Sequence, residues 1–153
     1  MKIALCAIAR SDKEDHPDLA LMLDSAKRAG FGHLILGVDD RSHPNTVAWA
    51  TERWDGSCDL FTFEMEADGD PHFGRARQLT LERLPADCEF WGWADSDDVI
   101  ERKSERTVPD ILGALPPSVG ALAFNYHYAN DEYGNVKGHL KVRLFRSSIG
   151  WEW

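Results

Sequence analysis

Phe90-Trp91-Gly92-Trp93-Ala94-Asp95-Ser96-Asp97-Asp98 is the stretch on which the reading of this chain turns. Its first five residues are apolar, three of them aromatic, which suits a strand buried on both faces. That strand runs without a break into a short acidic segment. In open sheets of parallel strands, ligands bind at the carboxyl ends of the strands. Asp98 and Glu101 add two more negative groups within a turn of Asp95 and Asp97. Two carboxylates about 4 Å apart repel by on the order of 4 kcal/mol at an effective dielectric of about 20. A hard divalent cation offsets that repulsion, and Mg²⁺ or Mn²⁺ takes one or two carboxylates together with waters and substrate phosphate oxygens. A plainer reading has Ser96 or Asp97 capping a helix, with Asp98 and Glu101 favouring its positive end. Spacing alone leaves both open.

Working outward, strands and helices alternate, the pattern of a mainly parallel sheet covered by helices. Ile3–Ala9 is continuously apolar and reads as the first strand. Pro17 opens a helix carrying Leu19, Met22, Leu23 and Ala26 at helical spacing, and Gly30 ends it. Leu34–Val38 is a second buried strand ending in Asp39-Asp40, and Thr46–Arg53 a short helix with Asn45 or Ser42 available as its cap. Leu60–Met65 predicts a strand, Glu66–Pro71 an acidic loop, and Phe73–Leu84 a helix. Beyond the opening stretch, Pro109–Leu115 predicts a helix stopped by Pro116-Pro117. Ala121–Tyr128 and Val136–Phe145 predict two strands joined through Asn130–Asn135, with Gly134-Asn135 at the turn.

The bulk composition bounds the function classes. A chain of 153 residues suffices for a single domain over residues 1–153 with one sizeable core. A net charge of -9 argues against a nucleic-acid partner, which normally requires a basic surface. No apolar run approaches the roughly 20 residues of a membrane span. The opening apolar stretch lacks the cleavage signal of a secretory leader, so a cytoplasmic location is the expectation. Cys6, Cys58 and Cys88 form no CxxC pair, which indicates neither a zinc knuckle nor a disulfide framework. Trp151-Glu152-Trp153 puts two large aromatics where chains usually fray. Either the rings dock on the domain or a partner, or the chain is a piece of a longer protein; the second is the expectation.

Two further features belong with the acidic segment. Asp39-Asp40 ends a strand that would point to the same rim as Asp95, although an Asx-turn would explain it equally. Arg77 stands near a helix start in Phe73-Gly74-Arg75-Ala76-Arg77-Gln78, where helix amino end and guanidinium together suit an anion, or where the arginine is simply solvated. The histidines show no metal-ligand spacing; His72 lies near the anion site, His127 and His139 on the late strands. No nucleophile elbow, Walker loop or GxGxxG is present. A phosphatase of the DxD type would need a Thr shortly after its nucleophile, and none follows Asp97.

The ordered set, with Phe73–Gln78 followed by Trp91–Asp98, resembles the family 2-like GT-A glycosyltransferases, which share an aromatic-small-x-Ala-Arg-Asn helix start and a tryptophan-rich strand leading into Asp-x-Asp. Val38–Ser42 through Thr46 is similar to that family's second strand end, and Lys141–Arg146 to its late RLFR strand. Gln78 stands where the family more usually has Asn. The resemblance covers nearly the whole chain. It implies a nucleotide-diphospho-sugar transferase fold: α/β, Rossmann-like, a mainly parallel sheet flanked by helices, with a late antiparallel strand pair. It also implies metal-dependent, inverting transfer from a nucleoside-diphosphate sugar to an unassigned acceptor. Asp39 would hydrogen-bond the base, Arg77 would approach the nucleotide or its diphosphate, Asp95 would contact ribose or metal, and Asp97 would bind the Mn²⁺ or Mg²⁺. The family's general base and a downstream His-Glu element lie in a later part, so the catalytic base is left unassigned; Asp131 and Glu132 are merely late-turn carboxylates. The alternative is a truncated module that binds nucleotide without transfer. The oligomeric state is open.

Overall fold

The computed structural model describes residues 1–64, 73–130 and 136–151, and for 128–130, 136, 137 and 139 the backbone alone. The chain runs β1 (Ile3–Ala9), α1 (Pro17–Ala29), β2 (His33–Asp39), α2 (Thr46–Trp54), β3 (Ser57–Phe63), α3 (Phe73–Leu81), β4 (Phe90–Asp95), α4 (Val108–Gly113), β5 (Ala121–Asn130) and β6 (Val136–Arg146). These strands form one sheet in the order β3-β2-β1-β4-β6-β5. β1 pairs in parallel with β2 and β4, and β2 with β3. β6 turns back antiparallel to β4, and β5 lies antiparallel on its outer side.

Every residue of β1 and β2 is buried, which their unbroken apolar runs require. The two faces are covered separately. Ile3, Leu5, Ala7 and Ala9 of β1 pack with Leu19, Met22 and Leu23 of α1 and with residues of α2 and α4. Ala4, Cys6 and Ile8 face the other way, toward Ala76 of α3, Trp91, Trp93 and Phe145. Gly92, between the two tryptophans of β4, leaves room for the Phe31 ring. A Cβ there would come within 2.7 Å of the Phe31 ring, so a side chain would drive that ring off the sheet. Gly30 ends α1 at φ 99°, the left-handed conformation that glycine adopts without a Cβ penalty.

Several boundaries differ from the sequence expectation. β3 begins at Ser57, earlier than the expected Leu60, because it pairs with β2 from His33 onward. α3 ends at Leu81 rather than Leu84. α4 begins one residue before Pro109, set by a capping box between Thr107 and Asp110. Asn45 occupies the position before α2 but makes no capping bond; its side-chain oxygen is held by His16 and His43 instead. The Gly134-Asn135 turn, His72, Asp131, Glu132, Glu152 and Trp153 lie outside the described residues. Trp151 docks on the domain, its ring 4.9 Å from that of Phe145 and its indole N–H donating to the Arg146 carbonyl. Among the described residues, no helix is long and apolar enough to cross a membrane.

Candidate functional site

The chain runs from β1 outward to β2 and β3, then returns to β4 on the opposite side of β1. That reversal opens a crevice between the carboxyl ends of β1 and β4, the place where doubly wound sheets bind ligands. A cleft of about 380 Å³ lies there. Ile8, Ala9 and Arg10 line it from β1, Asp39 from β2, and Phe63 from β3; Asp95, Ser96 and Asp97 come from β4, Phe73 and Arg77 from α3. All four residues singled out from the sequence, Asp39, Arg77, Asp95 and Asp97, thus reach one cleft.

Their electrostatic states differ. Asp39 is 3% exposed and closed by Arg41, which donates its backbone N–H and Nε to Oδ1 and its Nη2 to Oδ2 at 2.6 Å. These bonds hold the Asp39 carboxyl below the usual range against the opposing effect of burial. Asp95 is held by arginines from two elements: Arg77 reaches Oδ1 and Arg143 reaches Oδ2, each at 3.2 Å. The Trp93 indole N–H also donates to Oδ1, and the Arg77 guanidinium lies 4.9 Å over the Trp93 ring. Burial alone would raise the Asp95 carboxyl, but Arg143 and Arg77 outweigh it and leave the group below its ordinary range.

Arg143 continues the network by pairing with Asp98 at 3.2 Å, while Asp98 accepts the Asp95 backbone N–H at 2.8 Å and closes a tight turn. No helix follows that turn, so a capped helix is not the reason for the acidic segment. Tyr126 hydrogen-bonds Asp98 from β5; burial, then this bond, pushes its hydroxyl pKa up. Asp97, by contrast, is exposed and lines the cleft with no hydrogen bond or ion pair to a described residue. Glu101 is exposed too and pairs with Lys103. Among the described residues, no cluster of three or more His, Cys, Asp or Glu is arranged to hold a metal.

The rim beside Arg10 is tied by a chain of side chains centred on the buried His16. His16 is fully buried at φ 44°, its Nε2 2.9 Å from Asn45 Oδ1 and its Nδ1 2.7 Å from Ser11 Oγ. An amide oxygen only accepts, so Nε2 carries the proton and Nδ1 accepts from the serine hydroxyl. With the Ser42 hydroxyl accepting from Ser11 N–H, this ties the loop after β1 to the loop after β2.

Sequence reasoning missed Arg143 as a site residue, noting only the resemblance of its strand. It also missed the aromatic walls Phe63 and Phe73, and Arg41 as the partner of Asp39. His127 is exposed on β5.

No family model matches the sequence, and no curated protein matches it. Solved structures do match the fold. Residues 1–349 of Staphylococcus aureus TarS align over 97% of this chain and 48% of theirs, at 14% identity and a TM-score of 0.53. Rv0371c from Mycobacterium tuberculosis H37Rv aligns over 97% of this chain and 73% of its own, at 17% identity and a TM-score of 0.53. The same TarS segment in complex with UDP aligns over 65% of this chain and 28% of its own, at 19% identity and a TM-score of 0.50. The fold is of the GT-A type. The chain spans less than half the length of these TarS structures.

Proposed function

We propose that this chain forms the donor-binding part of a metal-dependent glycosyltransferase that takes a nucleoside-diphosphate sugar. The observation that carries the reading is the convergence of Asp39, Arg77, Asp95 and Asp97 on one cleft at the sheet's switch point. Phe63 and Phe73 give that cleft apolar walls against which a base can lie, and Asp39 stands at the same end to accept from it. Arg10 and Arg77 supply positive charge for a diphosphate in a chain whose net charge is -9. A TarS structure of the same fold carries UDP, which makes a uridine nucleotide the first donor to test.

The residues fit a divalent ion that arrives with its substrate. Both Asp95 oxygens are already engaged by arginines, whereas the Asp97 carboxylate is exposed and has no partner among the described residues. Mg²⁺ or Mn²⁺ commonly binds through one or two carboxylates plus phosphate oxygens and waters, so Asp97 with a diphosphate meets that need. A bound ion would stabilise the charge that develops on the departing diphosphate. Asp95 then serves as the fixed anchor that orients Arg77 and Arg143. In the transfer, the acceptor oxygen bonds to the sugar's anomeric carbon as the bond to the diphosphate breaks. The bonding pair leaves with the nucleoside diphosphate, and the hydroxyl proton passes to a base.

The test is turnover. Incubation with UDP-sugars and Mn²⁺ should release UDP, and Asp97→Ala should reduce that release by about a hundredfold or more, the scale of losing one electrostatic stabiliser. Metal-dependent nucleotide binding without release would leave a nucleotide-binding module.

A further inference from the structure

A second, larger cleft of about 640 Å³ adjoins the first, and Asp97 lines both. One wall is the segment from Asp97 to Arg106, anchored to α1 where the Ile100 N–H donates to the Ser25 hydroxyl at 3.0 Å. The other wall is β5, which contributes Phe124, Tyr126 and His127. Arg143 binds Asp95 on the first cleft and Asp98 on the second, so the two are separated by a single layer of paired side chains.

We infer that this second cleft is the acceptor subsite and that it takes a hydroxyl compound bearing an oxyanion, either phosphate or carboxylate. The inference rests on the donor reading of the first cleft. If the diphosphate lies at Asp97, the anomeric carbon beside it faces the space beyond Asp97, and a nucleophile must approach from there.

The charge of the acceptor follows from how the local cations are partnered. Lys103 is neutralised by Glu101, and Arg143 by Asp95 and Asp98. Arg102 and Arg106 line the same cleft, yet neither forms an ion pair with a described residue. Arg102 hydrogen-bonds the Glu105 carbonyl, at 3.5 Å, and Arg106 the Asp110 carbonyl, at 3.1 Å, with the Asp110 carboxylate near both but in salt-bridge contact with neither. A guanidinium has five N–H donors, so each keeps donors suited to a two-pronged oxyanion. The chain's net charge of -9 repels anions in general, so an anionic acceptor needs such a local pair. The apolar and aromatic side chains of Phe124, Val108 and Tyr126 offer the rest of the cleft to the carbon skeleton of a sugar or polyol.

The experiment is an amide NMR titration of the full chain held with saturating UDP and Mg²⁺, which occupies the first cleft. The probes are glycerol 3-phosphate, glucuronate and glycerol. The two anions should shift signals within residues 98–106 and 124–127, and glycerol should not; which anion binds more tightly separates phosphate from carboxylate. The exposed double variant R102Q/R106Q should weaken the anions by about tenfold or more while leaving UDP affinity unchanged. Anions that bind no better than glycerol, or equally well to the double variant, would overturn the inference while UDP binding keeps the donor reading intact. Failure of the wild type to bind UDP in the first titration would instead remove the donor reading, and this inference with it.

Discussion

Asp39 and Asp95 are the last residues of β2 and β4, the two strands that flank β1, yet they are built in opposite ways. Asp39 is closed by a neighbour two residues along the chain, whose guanidinium is about half exposed. Asp95 is closed by Arg77 from α3 and Arg143 from β6, residues 18 and 48 positions away. The first arrangement is local: on the proposed donor reading, Arg41 would swing into solvent and Asp39 would accept from the ligand. The second ties three elements together and cannot open cheaply. On the same proposed reading, Asp95 acts as a fixed post, and the exposed Asp97 beside it is the group left to bind.

The largest effect should come from cutting the shared partner. Arg143→Met leaves the partly buried Asp98 without a guanidinium and Asp95 with Arg77 alone, a loss on the order of 2–3 kcal/mol in urea unfolding. Arg41→Ala should cost less than that, because the Arg41 guanidinium is half exposed and the backbone N–H of residue 41 still donates to the Asp39 carboxylate after the substitution. Equal losses at the two sites would break the comparison. A smaller effect is expected in acid. Both carboxyls lie below the ordinary value of 3.8 in the folded chain. The stability each contributes is complete above that value and drains away as pH falls through the lower folded one. The acid limb of a stability profile should therefore flatten in Asp39→Asn and in Asp95→Asn, and an unchanged limb in either would show that its pairing does not form in solution.

The same contrast explains what the sequence made legible. The bounds of β1 and β4 follow closely from their apolar runs, because a strand buried on both faces admits no polar residue until it ends. Asp39, Asp95 and Asp97 were singled out because they stand at or just beyond such ends. β3 was misplaced at its start because it is the edge strand, half exposed, with Asp59 in its middle. Arg143 was invisible as a site residue because its role depends on β6 turning back beside β4, a long-range pairing that no local pattern encodes. Asn45 looked like a cap for α2, and nothing nearby in sequence announces that His16, 29 residues away, claims its oxygen.

The central claim is that Asp97 and a divalent ion together hold a nucleoside diphosphate in the β1/β4 cleft. Calorimetric titration of UDP and GDP, with and without Mn²⁺, into the wild type and Asp97→Ala tests it most directly. The account predicts micromolar-to-millimolar binding of a nucleotide that needs both the ion and Asp97, in protein whose unfolding is unchanged by the substitution. Nucleotide binding that is indifferent to Mn²⁺ and to Asp97, or no binding of either nucleotide, would contradict it and leave only the shared fold.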